Sequence, residues 1–136
     1  MESVSELVRE FQKNSRQDFE TATTFHKKKR YHKSLFFLRQ SVEYALKAAV
    51  MKKLNTTHPP IVYTLADMAA SGGFPVPPRL KKDLDTVSTF SLTDTDPEYW
   101  NFYLVWGKED ISRKYTMIVA EILRWAYQEI ASLPMP

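Results

Sequence analysis

The run Tyr31-His32-Lys33-Ser34-Leu35-Phe36-Phe37-Leu38-Arg39-Gln40-Ser41-Val42-Glu43-Tyr44-Ala45-Leu46-Lys47-Ala48-Ala49 places apolar side chains at Tyr31, Leu35, Leu38, Val42, Ala45 and Ala49, at steps of 4, 3, 4, 3 and 4. Each residue of an α-helix turns about 100° around the axis, so these six positions fall on one stripe. The spacing predicts a helix that buries one face. It is the strongest periodicity in the chain, and a helix of this kind needs partners of the same kind.

They are found on both sides. Upstream, Leu7, Phe11, Ala22 and Phe25, with Val8 and Phe19 beside them, predict one long helix over 5–29 with no Gly or Pro to interrupt it. Downstream, Asn55-Thr56-Thr57-His58-Pro59-Pro60 ends the helix of the opening run, because the residue before a proline is pushed out of the helical region. A shorter helix over 61–70 is expected next, closed at Ser71-Gly72-Gly73, where glycine accepts the left-handed conformation. Pro77-Pro78 opens a fourth helix carrying Leu80, Leu84, Val87 and Phe90. After a polar loop, Asp96-Pro97-Glu98 reads as the start of a short aromatic helix with Trp100, Phe102, Tyr103 and Trp106. Glu109 and Asp110 then precede Ile111, Tyr115, Ile118, Ile122 and Trp125 in a last long helix that ends near Leu133. No segment alternates with the period of a strand, so the expected fold is all-α: an antiparallel up-and-down helical bundle, four-helix-bundle-like with one or two extra short helices, forming a single domain over 1–136.

Composition narrows the chemistry. At 136 residues, folding buries roughly two thirds of the surface that the unfolded chain exposes, enough for a core without staples. With no cysteine there is no disulfide, thiolate metal site or cysteine nucleophile. Three glycines cannot build a phosphate-binding loop of the Walker or dinucleotide type. His26, His32 and His58 match no metal-ligand spacing, and they read as surface or turn residues, with His58 set to guide the chain into the third helix. Asp83-Leu84-Asp85 lies on a helix, and no Gly-Ser precedes it or Asp94-Thr95-Asp96, so a nucleotidyltransferase active site, a metal and a cofactor are not expected. The first residues, MESVSELVREFQ, have no leader-like apolar stretch and no window spans a membrane, which points to the cytoplasm.

The net charge of +3 conceals an uneven distribution. Residues 1–53 hold twelve bases and six acids, whereas 54–136 hold seven and ten. Five of those bases, Lys27, Lys28, Lys29, Arg30 and Lys33, sit at the turn between the first two long helices. A phosphate-rich partner would find donors there, although a solvated turn at a helix C-terminus favours cations for reasons of its own. Arg39, Glu43 and Lys47 lie four residues apart on one stripe beside the apolar face, either as a nucleotide or partner contact or as an i,i+4 ladder. The aromatic group of Tyr99, Trp100, Phe102, Tyr103 and Trp106 divides between core and interface.

The second helix resembles the core motif of the HEPN (higher eukaryotes and prokaryotes nucleotide-binding) family. Tyr31 stands after the first turn, and Gln40, Ser41, Glu43, Leu46, Lys47 and Ala48 match the family's Gln-Ala-x-Glu-x-x-Leu-Lys-Ala pattern. Thr57-His58 corresponds to its Thr-His, and Leu65 with Met68 to the Leu-x-x-Leu that follows. The likeness covers residues 18–70, and the Arg-Tyr-Pro usual before the last helix is replaced here by Ser88 to Pro97.

The resemblance implies a helical bundle, a homodimer and a minimal nucleotidyltransferase encoded nearby, in a toxin–antitoxin or two-component system. Some members are ribonucleases whose Arg and His are separated by four to six residues. No arginine here has such a histidine; Arg113 is followed at those positions by Ile118, Val119 and Ala120. The expected function is therefore a non-catalytic subunit contacting nucleotide or RNA through Arg39, Glu43, Lys47 and the basic cluster, with a divergent ribonuclease relying on Arg113 as the alternative.

Overall fold

The computed structural model describes residues 3–62, 64–90 and 106–134. Five helices account for most of them: α1 (Val4–Lys27), α2 (Tyr31–Leu54), α3 (Leu65–Ser71), α4 (Pro78–Val87) and α5 (Glu109–Ser132). Among the described residues there is no strand, and no helix is long and apolar enough to cross a membrane.

Local chemistry sets the ends. Ser3 and Glu6 form a reciprocal capping box at the start of α1. The turn to α2 is closed by Lys29 at φ 62° and by the Arg30 amide donating to the Phe25 carbonyl at 2.9 Å. With Lys29 left-handed, α1 ends at Lys27, two residues before the predicted limit. Asn55, also left-handed, ends α2, and Gly73 takes φ 73° after α3.

The third helix starts at Leu65 rather than residue 61. Pro59 and Pro60 keep the residues before them out of the helical region, and Ile61 stands fully exposed. Thr64 supplies the cap, its hydroxyl accepting from the Asp67 amide at 3.0 Å. His58 lies well before that cap and bonds locally, through Nδ1 to the Thr57 hydroxyl at 2.9 Å, so it does not guide entry to α3. The predicted aromatic helix, from Asp96 to Trp106, lies outside the described residues except for Trp106 at its end, which packs on Phe90 and Tyr115.

The centre of the bundle is α2. Leu35, Leu38, Val42, Ala45 and Ala49 are all essentially buried, as their spacing requires, and Leu46, Ala48, Val50 and Met51 join them. A helix buried on more than one face needs neighbours on several sides, and α1, α3, α4 and α5 all touch it. Two serine bridges tie the long helices together. The Ser15 hydroxyl of α1 donates to the Ser41 carbonyl of α2 at 2.7 Å and accepts from the Tyr127 hydroxyl of α5 at 2.7 Å. At the opposite end, Ser112 of α5 donates to the Ser34 hydroxyl at 3.2 Å and is met by His26 Nδ1 at 2.8 Å. These two pairings make α1 and α5 antiparallel.

Candidate functional site

Arg39, Glu43 and Lys47 project from the outer face of α2 at successive turns, each about one third exposed. Arg39 approaches one Glu43 oxygen at 3.5 Å and Lys47 the other at 3.6 Å, so the i,i+4 ladder read from the sequence is present. Both distances exceed those of a charge-assisted hydrogen bond, which leaves the two cations with donor capacity to spare.

The structure adds what the ladder alone lacks. The three side chains line a cleft of about 160 Å³ whose other wall is Pro59, Pro60, Ile61 and Val62, with Leu65 and Met68 of α3 at its base. Arg39 is held there by its Nε, which donates to the Ser88 carbonyl at 3.2 Å, while the Ser88 hydroxyl accepts from the Leu65 amide at 2.8 Å. Ser88 thus ties the end of α4 to both the arginine and the first turn of α3. A side chain anchored at Nε presents its terminal nitrogens with less entropy to lose on binding.

The basic cluster is not brought to this cleft. None of Lys27, Lys28, Lys29, Arg30 and Lys33 lines it, although at about 1.5 Å of rise per residue Lys33 stands only about 9 Å along the axis from Arg39, the near end of the cleft. Lys33 sits instead over the Phe25 ring at 5.6 Å, Lys28 lines a shallow cleft with Asp18 and Thr24, and Lys27 faces α5.

Lys27 shares its cleft with Thr23, His26, Arg113, Thr116 and Met117. Here the structure joins residues that the sequence holds far apart. His26, read as a surface or turn residue, is half-buried and edge-on to Tyr31, with ring centroids 5.4 Å apart. Because Ser112 gives its proton to Ser34, the Nδ1 of His26 is the donor to Ser112, and in the neutral ring Nε2 carries the basic lone pair. Arg113 itself pairs with Glu109 one turn earlier on α5. His26 and Ser112 are 86 residues apart, and no local motif reports such a pairing.

Among the described residues, three groups are shifted from their ordinary values. Burial, reinforced by Lys33 and Arg30, lowers the His32 imidazole. Burial raises the Asp18 carboxyl even though Gln40 Nε2 donates to it at 3.0 Å, and burial raises the Tyr127 phenol. None of the three lines the Arg39 cleft. Asp83 and Asp85 both fall on α4, and among the described residues no three His, Asp or Glu side chains gather to hold a metal ion.

An all-α bundle organised around a central helix with this Gln-Ser-x-Glu-x-x-Leu-Lys-Ala face defines a recognisable class. The sequence pattern of the HEPN domain matches residues 8–130, nearly the whole chain, and the protein belongs to the HEPN family. No curated protein and no solved structure matches it.

Proposed function

We propose that this HEPN chain is a non-catalytic, homodimeric cytoplasmic subunit that partners a minimal nucleotidyltransferase in a toxin–antitoxin or two-component system, and that it holds an anionic part of a nucleotide on the outer face of α2. The observation that supports this most directly is the Arg39–Glu43–Lys47 cleft, with its arginine fixed by Ser88. At about 160 Å³ it accommodates phosphoryl groups rather than a whole nucleoside, since sites that enclose drug-sized ligands run to roughly 300 Å³ or more. The base and sugar would then lie outward, over Pro60 and the exposed Ile61. Two cations around one carboxylate leave a net positive site, and an incoming phosphate displaces Glu43 from contacts that are already long.

Isothermal titration of ATP into the wild-type chain and into an Arg39→Ala, Lys47→Ala variant tests this. The expected result is measurable binding that falls at least about tenfold in the variant, as removal of charge-assisted contacts requires, with an unchanged helical CD spectrum. Equal binding by both proteins, or none by the wild type, rejects the site. Gel filtration with and without the product of the adjacent gene tests the subunit role, which needs a stable co-eluting complex.

One observation favours a second reading, a divergent ribonuclease. Arg113 and His26 line the same cleft, so an Arg and a His are paired in space without the usual sequence spacing. In that chemistry His26 Nε2 takes the 2′-hydroxyl proton as O2′ bonds to phosphorus, Arg113 stabilises charge on the phosphorane, and the P–O5′ bond breaks with the 5′-oxygen taking a proton from water, leaving a 2′,3′-cyclic phosphate. Incubation with RNA in the presence of a chelator decides it: cleavage lost in both Arg113→Ala and His26→Gln supports this reading, and intact RNA rejects it.

A further inference from the structure

The His26 cleft is one half of a longer feature. A second hollow of about 390 Å³ follows it along the same two helices, lined by Arg16, Phe19 and Glu20 of α1 and by Ala120, Leu123, Arg124 and Tyr127 of α5. The lining positions continue in register, from Arg16 opposite Tyr127 to Lys27 opposite Arg113, so the two hollows form a single furrow between antiparallel helices. Its α1 wall, residues 16–27, is about 16 Å long at the rise of an α-helix.

The furrow has a carbon floor and a cationic rim. Phe19, Ala120 and Leu123 make the floor, and Met117 stands 71% exposed within it, one of the few large apolar side chains so exposed. Arg16 and Arg124 flank one end, with the Arg16 guanidinium 4.9 Å from the centre of the Tyr127 ring; Lys27 flanks the other, beside Arg113, which is paired with Glu109. Among the described residues Glu20 is the single acidic side chain lining either hollow.

We propose that this furrow docks an acidic amphipathic helix of a partner protein, about three turns long, with aliphatic side chains on the inward face and Asp or Glu along both edges. The length fits the wall, the aliphatic stripe fits the floor and the carboxylates fit the rim, the usual arrangement when a helix occupies a groove. A nucleic acid fits less well, because the floor is carbon and the Tyr127 face is already covered by Arg16. A second copy of the chain also fits less well. Among the described residues the exposed large apolar side chains besides Met117 are Leu54 and Ile61, at the end of α2 and in the segment beyond it, on no acidic helix face. The proposal deepens the subunit reading and rests on it only for the existence of a protein partner; the nucleotide cleft on α2 plays no part in it.

The test uses a fluorescein-labelled 15-residue peptide, helix-stabilised, with Leu at positions facing the floor and Glu along both edges, beside a matched peptide with Lys in place of Glu. Fluorescence anisotropy with the full chain is expected to show saturable binding of the Glu peptide and at least about tenfold weaker binding of the Lys peptide. Met117→Asp is expected to weaken the Glu peptide about tenfold, and Arg16→Glu with Arg124→Glu several-fold, at unchanged helical CD. Neither variant touches Arg39 or Lys47, so ATP titration separates failure here from failure of the nucleotide site. Absence of peptide binding, equal binding of both peptides, or displacement of the peptide by equimolar single-stranded RNA overturns the proposal. Sedimentation showing a dimer that Met117→Asp dissociates would also overturn it, by assigning the furrow to a second copy.

Discussion

The outer face of α2 and the furrow between α1 and α5 both carry cations, in opposite settings. On α2, Arg39 and Lys47 alternate with Glu43 along a single helix, half-buried and backed by a proline-bearing segment. In the furrow, Arg16, Arg124, Lys27 and Arg113 come from two helices and surround exposed carbon, with one carboxylate among the linings. The first setting suits a small anion that replaces an internal carboxylate; the second suits a ligand that is itself amphipathic. The charge of a residue does not determine its use. What lies between the charges does.

Both regions depend on the buried stripe of α2, and the largest expected effect removes that shared support. Leu38, fully buried, lies on the core side of α2, next to Arg39 in the same helix. Leu38→Ala is expected to cost about 2–5 kcal/mol in urea unfolding, enough to weaken both regions together. A loss below about 1 kcal/mol would mean that α2 is not the hub.

Smaller changes separate the two. Ser15→Ala removes the hydroxyl that joins Ser41 and Tyr127 beneath the furrow, at an expected cost of about 1 kcal/mol, with ATP binding on α2 unchanged. Glu43→Gln is expected to tighten ATP binding about two- to fivefold, since it removes like charge from the path of the phosphate at a site a third exposed. Weaker binding would show instead that Glu43 serves chiefly to orient the two cations.

The smallest effect is one of pH. Burial lowers the His32 imidazole below its ordinary 6.5, so the unfolded chain takes up the proton first. The stability contributed by the neutral ring is present in full above 6.5 and declines as the pH falls from there through the lowered native value. Asp18, whose carboxyl is raised above 3.8, works in the opposite sense at lower pH, because its protonated form is favoured in the folded chain. Chemical denaturation of the wild type and of His32→Gln between pH 7 and 5 isolates the first effect: the difference should change across that window, and a constant difference would contradict it.

Much of this was legible in the sequence, for identifiable reasons. The stripe from Tyr31 to Ala49 and the matching ones in α1 and α5 report helices because burial imposes the period directly. The Arg39, Glu43 and Lys47 ladder was legible because i,i+4 spacing is itself the geometry. Its opposite wall was not, since Pro59 and Pro60 announce only a break, and the contact that meets the first turn of α3, the Leu65 amide donating to the Ser88 hydroxyl, comes from 23 residues away. The pairing of His26 with Ser112, and the register of α1 on α5, arise from contacts across nearly the whole chain and leave no local trace. The five-residue basic cluster shows the converse: close in sequence, Lys27, Lys28 and Lys33 have three different surroundings.

The most direct measurement is ATP titration of the isotopically labelled chain followed by backbone amide NMR. If the cleft on α2 is the anion site, the largest shifts will fall on Arg39, Glu43, Lys47, Leu65 and Met68, with little change at Lys27 to Lys33. Shifts confined to that basic turn, or to the furrow between α1 and α5, would contradict it.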